Sequence, residues 1–304
     1  MSHPFSSPSD LGIITQQALL INYFLEAVKM KHEKLLLLLI IVVFFAGLSS
    51  GQYYQWKNSI GNNKWADPNN WVIYNTEDPP AEPFSNNDFF YLEDLDAGDA
   101  IIDTNGQLAR KVLVGYGIDG YGNLDIQPAG ELSAEELNIG YASTVGSTVS
   151  LNGGILNLSS RIRVSYSGPG LLNLNSGEIN CTGDIVVSAQ SFGTLNIYGG
   201  TLNVGLFNGS WSKPGTINIY DGEVNSEQAV TLTPKSDGGG SGTVLTIEGG
   251  TIETEYYHSG FYSNDSTIIK GGDIVTRYLT FGLQGGNGTV ELRGGRIILL
   301  SSSD

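Results

Sequence analysis

The sequence has few of the residue types that carry catalysis, metal binding or disulfide bonds. Its 304 residues include a single cysteine, Cys181, and only three histidines. One cysteine excludes an internal disulfide, so packing and hydrogen bonding must stabilise the fold. Beyond residue 51 the one histidine is His258, and the sequence contains no zinc motif, nucleophile elbow or phosphate-binding loop. We therefore interpret His258 as a surface or packing residue and Cys181 as a small buried apolar residue.

Basic residues are scarce as well. The chain has 15 Lys and Arg against 31 Asp and Glu, which gives a formal net charge of -16. This charge argues against nucleic acid and anionic membrane surfaces as partners, and it is compatible with neutral glycans, cations or other proteins. Charged residues make up only 15 % of the chain, whereas 41 residues are glycine. Such a composition favours short strands and turns over long solvated helices.

No apolar run reaches the roughly 20 residues that a helix needs to span a bilayer. The longest begins at Leu35 and ends at Leu48, and it follows the basic start MKHEK at Met30. A short basic segment, an apolar run and then small residues are the layout of a secretory signal peptide. We predict that residues 1–51 are an N-terminal extension and signal peptide that starts at Met30, and that the mature chain is secreted without a membrane span. An uncleaved N-terminal anchor is the open alternative.

Short sequence units recur along the rest of the chain. GTLNIYGGTLNVG occupies residues 193–205, and GTINIYDGEVN occupies residues 215–225. The second residue of each two-residue turn marks the period, and these markers are Gly130, Gly154, Gly177, Gly200, Gly222, Gly250, Gly272 and Gly295. Successive markers are 22 to 24 residues apart, with one interval of 28. A fixed period in this range indicates a solenoid, and we expect each marker glycine to adopt a positive φ at a tight corner.

Alternation within each unit shows which side chains point inward. In TLNIY, Leu195 and Ile197 share one face and Asn196 lies on the other. The same pattern places Phe281 and Leu299 inward in the last units. Three short strands with glycine corners in about 23 residues predict an all-β, parallel β-helix solenoid, which we expect to be right-handed. A left-handed hexapeptide helix does not fit, because its strict six-residue period is absent.

Two segments depart from the repeat. Residues 52–105 lack it and contain WKNSIGNNKWADPNNW, so we predict that they form an N-terminal cap and the first coil. Within this cap we interpret Trp56, Trp65 and Trp71 as core plugs. The repeats then occupy residues 106–304. SDGGGSG, residues 236–242, lengthens the one long interval and is predicted to be a flexible loop.

The units GTLNIYGGTLNVG and GTINIYDGEVN resemble the strand repeats of secreted bacterial parallel β-helix proteins, such as autotransporter passengers and surface-sorted repeat proteins. The opening QWKNSIGNNKWADPNNW is similar to the Trp-rich segment that often precedes such repeats. The resemblance covers most of residues 53–299 and implies an exported, extracellular or cell-surface protein, often adhesive or structural. Only SSSD follows Leu300, without a translocator barrel or sorting helix. Either export uses the signal peptide alone, or the sequence is a fragment.

The outward positions of the predicted strands carry neutral amides. They are Asn173, Asn196 and Asn218 before the turn, and Asn157, Asn180, Asn203 and Asn225 after it. Stacked identical amides on adjacent coils form hydrogen-bonded ladders, which is the structural interpretation. The functional interpretation is a flat polar face that docks glycans or ordered water.

Two tyrosines extend this outward face. Tyr198 and Tyr220 are expected to stack as neighbours on adjacent coils, which suits contact with a sugar ring. Together with Asn196 and Asn218 they form the candidate glycan site. Exposed aromatic pairs also stabilise sheets without any ligand, so a purely structural role stays open.

Catalytic and metal sites have weaker support. Asp184, Asp221, Glu223 and Glu227 could supply paired acid and base carboxylates for polysaccharide cleavage, but no spacing selects them. GYGIDGYGNLD, residues 115–125, is rich in Gly and Asp yet does not match the register of the calcium-binding nonapeptide. We predict a turn there, with calcium as the open alternative. No catalytic residue, metal or cofactor is expected.

The sequence therefore predicts a non-catalytic, exported structural or adhesive rod that makes weak multivalent contacts with glycans or other surface proteins. Carbohydrate binding or processing on one lateral face is the second hypothesis. The third is end-to-end assembly into a fibre. GTVELRGGRIILL, residues 288–300, finishes on apolar residues with no evident cap, so this edge could pair with another chain.

Overall fold

The computed structural model describes residues 51–301 apart from 77, 81–83, 94–96, 118–119 and 234–241. The predicted signal peptide therefore lies outside the described residues, except for Gly51. The predicted loop at residues 236–242 also lies outside them, except for Gly242. Gly51–Asp304 forms a compact unit of its own.

The described chain is built of twenty strands, most of them short, although β9 has 17 residues and β10 has 19. The first ten are β1 (Tyr53–Trp56), β2 (Trp71–Ile73), β3 (Phe89–Leu92), β4 (Ala100–Ile102), β5 (Gln107–Leu108), β6 (Lys111–Val114), β7 (Asn123–Ile126), β8 (Glu131–Ile139), β9 (Ser147–Arg163) and β10 (Gly170–Ser188). The next ten are β11 (Gly193–Ile197), β12 (Thr201–Ser210), β13 (Gly215–Ile219), β14 (Glu223–Thr231), β15 (Val244–Ile247), β16 (Thr251–Ser259), β17 (Asn264–Ile269), β18 (Asp273–Phe281), β19 (Asn287–Leu292) and β20 (Arg296–Leu299). Among the described residues the only helical segment is a 3-10 turn, Pro68–Asn70.

The strands form a parallel solenoid of about nine turns, with about 23 residues in each turn. Apart from β2, which pairs antiparallel with β1, the strands pair in parallel with the equivalent strands of the neighbouring turns. In the pairing of β11 with β13, Gly193 lies opposite Gly215 and Leu195 lies opposite Ile217. The repeated units GTLNI and GTINI are therefore stacked directly on each other. The predicted all-β parallel solenoid is confirmed.

Inward side chains stack into columns along the axis. Leu172, Leu195, Ile217 and Leu245 form one such column through successive strand pairs, and all four are buried. Removing one aliphatic side chain of this size from water contributes about 1.5–3 kcal/mol. Because every turn adds several of these side chains, the columns are the main source of stability, as the alternation predicts.

Glycines form the corners of the coils, either between consecutive strands or, at Gly154 and Gly177, within the long strands β9 and β10. Six of the eight marker glycines have the predicted positive φ, between 68° at Gly295 and 96° at Gly177. A residue with a Cβ is strained in this region of conformational space. The repeating glycine thus allows the same tight corner in turn after turn.

Gly130 and Gly154 are the exceptions, and the prediction of positive φ is wrong for both. At the second of these corners the positive φ, 109°, belongs to Gly153. A Cβ on Gly130 would collide with the carbonyl oxygen of Ile102, and one on Gly154 would lie 2.5 Å from the carbonyl oxygen of Gln127. These two positions require glycine because another part of the backbone approaches closely.

Aromatic side chains close the N-terminal end of the core. Trp56, Trp65 and Trp71 are all buried, and the ring centroid of Trp65 lies 4.6 Å from that of Trp71 and 4.7 Å from that of Phe90. The indole N–H of Trp71 donates to the backbone oxygen of Trp65 at 2.8 Å. Strand β1 pairs with β2 on one side and with β3 on the other. The prediction that these tryptophans plug the core is confirmed.

Within the described residues, the opposite end of the core is open. Leu292 lies in register with the buried Ile269 one turn earlier, yet 56 % of it is exposed, and Leu299 is 61 % exposed. Phe281 is exposed as well. The prediction that Phe281 and Leu299 are buried is wrong, because no further coil among the described residues covers them.

A buried carboxylate joins neighbouring coils near this open end. Asp265 is almost completely buried. Its Oδ1 accepts hydrogen bonds from the Thr233 hydroxyl at 2.6 Å and the Thr243 N–H at 2.8 Å. The Ser263 hydroxyl donates to the same oxygen at 2.9 Å, and the Gly260 N–H donates to Oδ2 at 2.8 Å. One side chain thus holds the turn at residues 260–265 together and joins it to Thr233 and Thr243.

We expect Asp265→Ala to lower the free energy of unfolding by about 3 kcal/mol, because it leaves buried donors without an acceptor. The measurement is denaturant unfolding of residues 51–304. Asp221→Ala, at an exposed turn, is the matched control and should cost less than about 1 kcal/mol. Equal losses in the two variants would contradict the role of the buried carboxylate.

Candidate binding surface

Two outward columns of asparagine form hydrogen-bonded ladders. In the first, Asn196 donates through Nδ2 to Oδ1 of Asn173 at 3.0 Å, and Asn218 donates to Asn196 at 2.9 Å. The first amide, Asn173, donates to the hydroxyl of Ser150 at 3.5 Å. The residues are half-buried on their strands. The predicted ladder is therefore present on this face.

The second ladder contains four asparagines on the strands that follow the turn. Nδ2 of Asn180 donates to Asn157 at 3.1 Å, Nδ2 of Asn203 donates to Asn180 at 2.8 Å, and Nδ2 of Asn225 donates to Asn203 at 3.0 Å. At its start, Asn157 donates to the Glu131 carboxylate at 2.9 Å. Asn157, Asn180 and Asn203 each donate one hydrogen bond and accept another along the ladder, so this geometry supports the structural interpretation.

A third, shorter ladder was not recognised from the sequence. Asn175 donates to Asn152 at 2.7 Å, and Asn152 donates to the Asp125 carboxylate at 2.6 Å. These two asparagines directly follow Leu174 and Leu151, which are paired in register. Their regular place at the end of each strand is the signal that could have identified them.

Tyr198 and Tyr220 stack as predicted. Their ring centroids are 4.7 Å apart with an angle of 1° between the planes, and the side chains are 47 % and 39 % exposed. Asn196 and Asn218 lie on the same outward face two residues earlier on each strand. Because the rings cover each other on one side, a sugar can reach only their outer faces, their edges and their hydroxyl groups. The structure thus brings the four candidate residues together on one surface.

A second exposed tyrosine pair lies on another lateral face. The ring centroids of Tyr256 and Tyr278 are also 4.7 Å apart, with 14° between the planes. The side chains are 38 % and 44 % exposed, close to the values for Tyr198 and Tyr220. The sequence reasoning missed this pair, because neither residue belongs to the GTLNIY unit.

A longer tyrosine stack runs along the first coils. Successive ring centroids of Tyr91, Tyr116, Tyr141 and Tyr166 are 4.4, 5.5 and 4.7 Å apart. Burial raises the pKa of Tyr91 and of Tyr141 above the ordinary value. The guanidinium carbon of Arg163 lies 5.0 Å from the ring centroid of Tyr166. The triplets GYG, GYA and SYS recur at the repeat period and could have predicted this stack.

The four candidate acid and base residues are not all brought together. Asp184 forms an ion pair with Arg161, with 3.5 Å between the nearest atoms, and Asp221 accepts the N–H of Gly222 at 2.8 Å. Glu223 and Glu227 both line a different feature, a lateral groove near the open end. The structure therefore separates this acidic set over several sites.

The groove has a volume of about 550 Å³ and an acidic lining. Glu223 and Glu227 meet Glu253, Glu255 and Arg277 there. Within the described ranges, no three His, Cys, Asp or Glu side chains are grouped so that they could hold a metal ion.

The calcium candidate at residues 115–125 includes 118–119, which lie outside the described residues. Its described glycines include two with positive φ, 76° at Gly115 and 95° at Gly117. These values are typical of turns, and strand β7 begins at Asn123. The predicted turn is therefore present at Gly115 and Gly117, whereas residues 123–125 belong to strand β7, and calcium stays an untested alternative.

Cys181 and His258 lie in protected positions. Burial raises the pKa of the Cys181 thiol to about 11, and the thiol donates to the carbonyl oxygen of Asp184 at 3.7 Å. Burial lowers the pKa of His258, whose ring lies 6.0 Å from that of Tyr256 and 5.6 Å from that of Phe261. Both residues fit a packing role.

Comparison with protein-family models, curated proteins and solved structures gives no match. The resemblance to secreted bacterial β-helix proteins therefore rests on the repeat units and the Trp-rich opening alone. No helix in the described part of the chain has the length and hydrophobicity to cross a membrane.

We expect Asn203→Ala to lower the free energy of unfolding by about 1 kcal/mol, because two ladder hydrogen bonds are lost from a half-buried site. Thr201→Ala on the same strand is the matched control. A double-mutant cycle with Asn180→Ala should give a coupling energy of about 0.5 kcal/mol or more. A coupling energy near zero would show that the ladder contacts do not stabilise the rod.

We expect iodoacetamide to alkylate Cys181 at pH 8 about 100-fold more slowly in the folded than in the unfolded protein, since a rise of two pKa units lowers the thiolate fraction by that factor. Because the folded state retains the proton more strongly, Cys181 also makes the protein less stable as the pH rises from about 9 to about 11. Mass spectrometry of the alkylated protein measures the rate. Similar rates in both states would contradict a buried, neutral thiol.

Proposed function

We propose that the chain is a non-catalytic, exported structural or adhesive rod of the cell surface or extracellular matrix. The observation that supports this most strongly is the hydrogen bonding between the seven ladder asparagines, at 2.8 to 3.1 Å. Amide side chains do not titrate, whereas acid and base catalysis needs converging groups with adjusted pKa values. The lateral faces are thus suited to rigid, repeated presentation of a surface.

Neutral glycans are the partner class that the surface chemistry favours. The stacked rings of Tyr198 and Tyr220 provide apolar edges and hydroxyl groups, and the neighbouring Asn196 and Asn218 can add polar contacts. The net charge of -16 opposes anionic partners. Several weak contacts along one rod add up to useful affinity when the ligand is a polymer.

The test measures retention of residues 51–304 on a panel of soluble neutral polysaccharides and the polymer size after incubation. We expect retention without shortening. The double variant Tyr198→Ala/Tyr220→Ala should weaken binding about tenfold, the factor that corresponds to one lost aromatic contact of about 1.4 kcal/mol.

The matched control is Tyr256→Ala/Tyr278→Ala, which removes an equally exposed stacked pair from another lateral face. Retention that falls equally in both double variants would contradict a site at Tyr198 and Tyr220. If no polysaccharide in the panel retains the protein, glycan binding is rejected and the structural role alone remains.

Polysaccharide processing is the second candidate, and the acidic groove is the observation that favours it. Its carboxylates, Glu223, Glu227, Glu253 and Glu255, line one groove together with Arg277. Pairs of carboxylates act as acid and base or nucleophile in most glycosidases. Shortened polymer in the same incubation would support this candidate, and Glu→Gln substitutions at the four positions would then identify the reacting pair.

A further inference from the structure

A second groove lies along the first part of the four-asparagine ladder. Asn157 and Asn180 line it together with Ser159 and Thr182, which follow two residues later on each strand. The strands bend at this place, since the pairing of β10 with β12 shifts register after Cys181. The groove has a volume of about 600 Å³, which is in the range of small-molecule sites. We call it the ladder groove.

The amides of the ladder groove keep part of their hydrogen-bonding capacity. An amide side chain has two N–H donors and two acceptor lone pairs. Asn157 donates to Glu131 and accepts from Asn180, and Asn180 donates to Asn157 and accepts from Asn203. Each of the two amides in the groove therefore retains one N–H and one lone pair for a ligand, repeated at the strand spacing of about 4.8 Å.

Hydroxyl groups and an apolar side chain also line the groove. Ser159 and Thr182 are exposed, and the Thr182 hydroxyl donates to the backbone oxygen of Ser159 at 2.9 Å, which leaves its lone pairs for a donor. Leu108 is 40 % exposed at the end nearer the N-terminal cap. Such a mixture of apolar surface and a few fixed polar groups suits a sugar, which has hydroxyl groups at its edges and C–H groups on its faces.

The lining of the ladder groove is close to neutral. Among its described residues the one ionisable side chain is Glu135, which forms an ion pair with Arg110, with 3.1 Å between the nearest atoms. A charged ligand would lose hydration here without gaining a counter-charge. The net charge of -16 also opposes an anionic ligand. The groove therefore favours an uncharged ligand.

We propose that the ladder groove binds a linear neutral oligosaccharide that lies along the rod axis. Four residues of its lining, Leu108, Ser133, Asn157 and Asn180, are in register on successive coils. The groove therefore extends over roughly 15 Å along the axis, the sum of three strand spacings. A long groove with polar groups at a regular spacing suits a chain of like units. The stacked tyrosine pair does not line this groove, so either glycan site can be present without the other.

The asparagine ladder connects this groove to the acidic groove. From Asn180 its hydrogen bonds pass through Asn203 to Asn225, and Asn225 lines the acidic groove. A longer chain that leaves the ladder groove along the axis therefore reaches the carboxylates. The ladder groove holds a polymer whether or not the acidic groove cuts it.

The first test titrates residues 51–304 with cellohexaose, mannohexaose and maltohexaose by isothermal calorimetry. We expect at least one of these neutral chains to bind, with an affinity that rises with chain length from the disaccharide and then levels off. Hexagalacturonate, an acidic chain of the same length, should bind at least about tenfold more weakly because of the negative net charge.

The second test changes the groove and repeats the titration. Ser159→Arg fills the groove and should raise the dissociation constant at least about tenfold. Ser176→Arg is the matched control, because it adds the same charge at an exposed serine outside the groove. Leu108→Ala should raise the constant about threefold by removing apolar contact. Its control is Ile155→Ala, at a side chain outside the groove that is 39 % exposed.

The double variant Tyr198→Ala/Tyr220→Ala separates this site from the tyrosine site and should leave binding of the hexasaccharide unchanged. Loss of binding in this variant alone would support the tyrosine site and overturn the ladder groove. Loss in Ser159→Arg alone would support the ladder groove and leave the tyrosine site unsupported. The proposal is also overturned if no neutral hexasaccharide binds, if hexagalacturonate binds as tightly, or if Ser159→Arg and Ser176→Arg have equal effects.

Discussion

The in-register stacking of equivalent strands is the constraint on which the rest of the structure depends. Backbone hydrogen bonds link each coil to the preceding one, such as Glu223 N–H to Gly200 O at 2.9 Å and Thr251 N–H to Gly222 O at 2.9 Å. They hold neighbouring coils at the strand spacing of about 4.8 Å. Every side chain therefore meets its counterpart from the next coil at nearly the same distance. A side chain that packs against or hydrogen-bonds to an identical side chain is therefore stabilised in every coil. Identical charged side chains at this distance repel each other.

The columns of side chains follow from this constraint. Aliphatic residues repeat in the core, amides and tyrosines repeat on the outside, and glycines repeat at the corners. Charged columns alternate in sign, as in the ion pairs of Lys111 with Glu136 and of Arg161 with Asp184. The acidic groove breaks this rule, because Glu223, Glu227, Glu253 and Glu255 line it together with one arginine, Arg277. Like charges close together lower the stability of the fold. The presence of these glutamates is therefore best explained by a requirement other than stability.

The sequence was informative wherever the structure depends on local pattern and period. Alternation identified Leu195 and Ile197 as inward, and the identical units around Tyr198 and Tyr220 predicted their stacking. It was uninformative where a contact joins residues far apart in the chain. Gly130 is required by the distant carbonyl of Ile102, and no local signal shows this. Glu253 and Glu255 line the groove because the strand that follows the 28-residue interval pairs in the same register as the other coils. The spacing of the glycines alone does not reveal this register.

The tryptophan plugs at the N-terminal end also bear on how the chain acquires its structure. A polypeptide is made from its N-terminus, so this sealed layer is the first part of the solenoid that can be completed. Each later coil then pairs with the strand edges of a coil that has already folded. Only its own residues, about 23 in number, have to become ordered in that step. Aromatic side chains that close one end of the core thereby give the chain a starting point and a direction for folding.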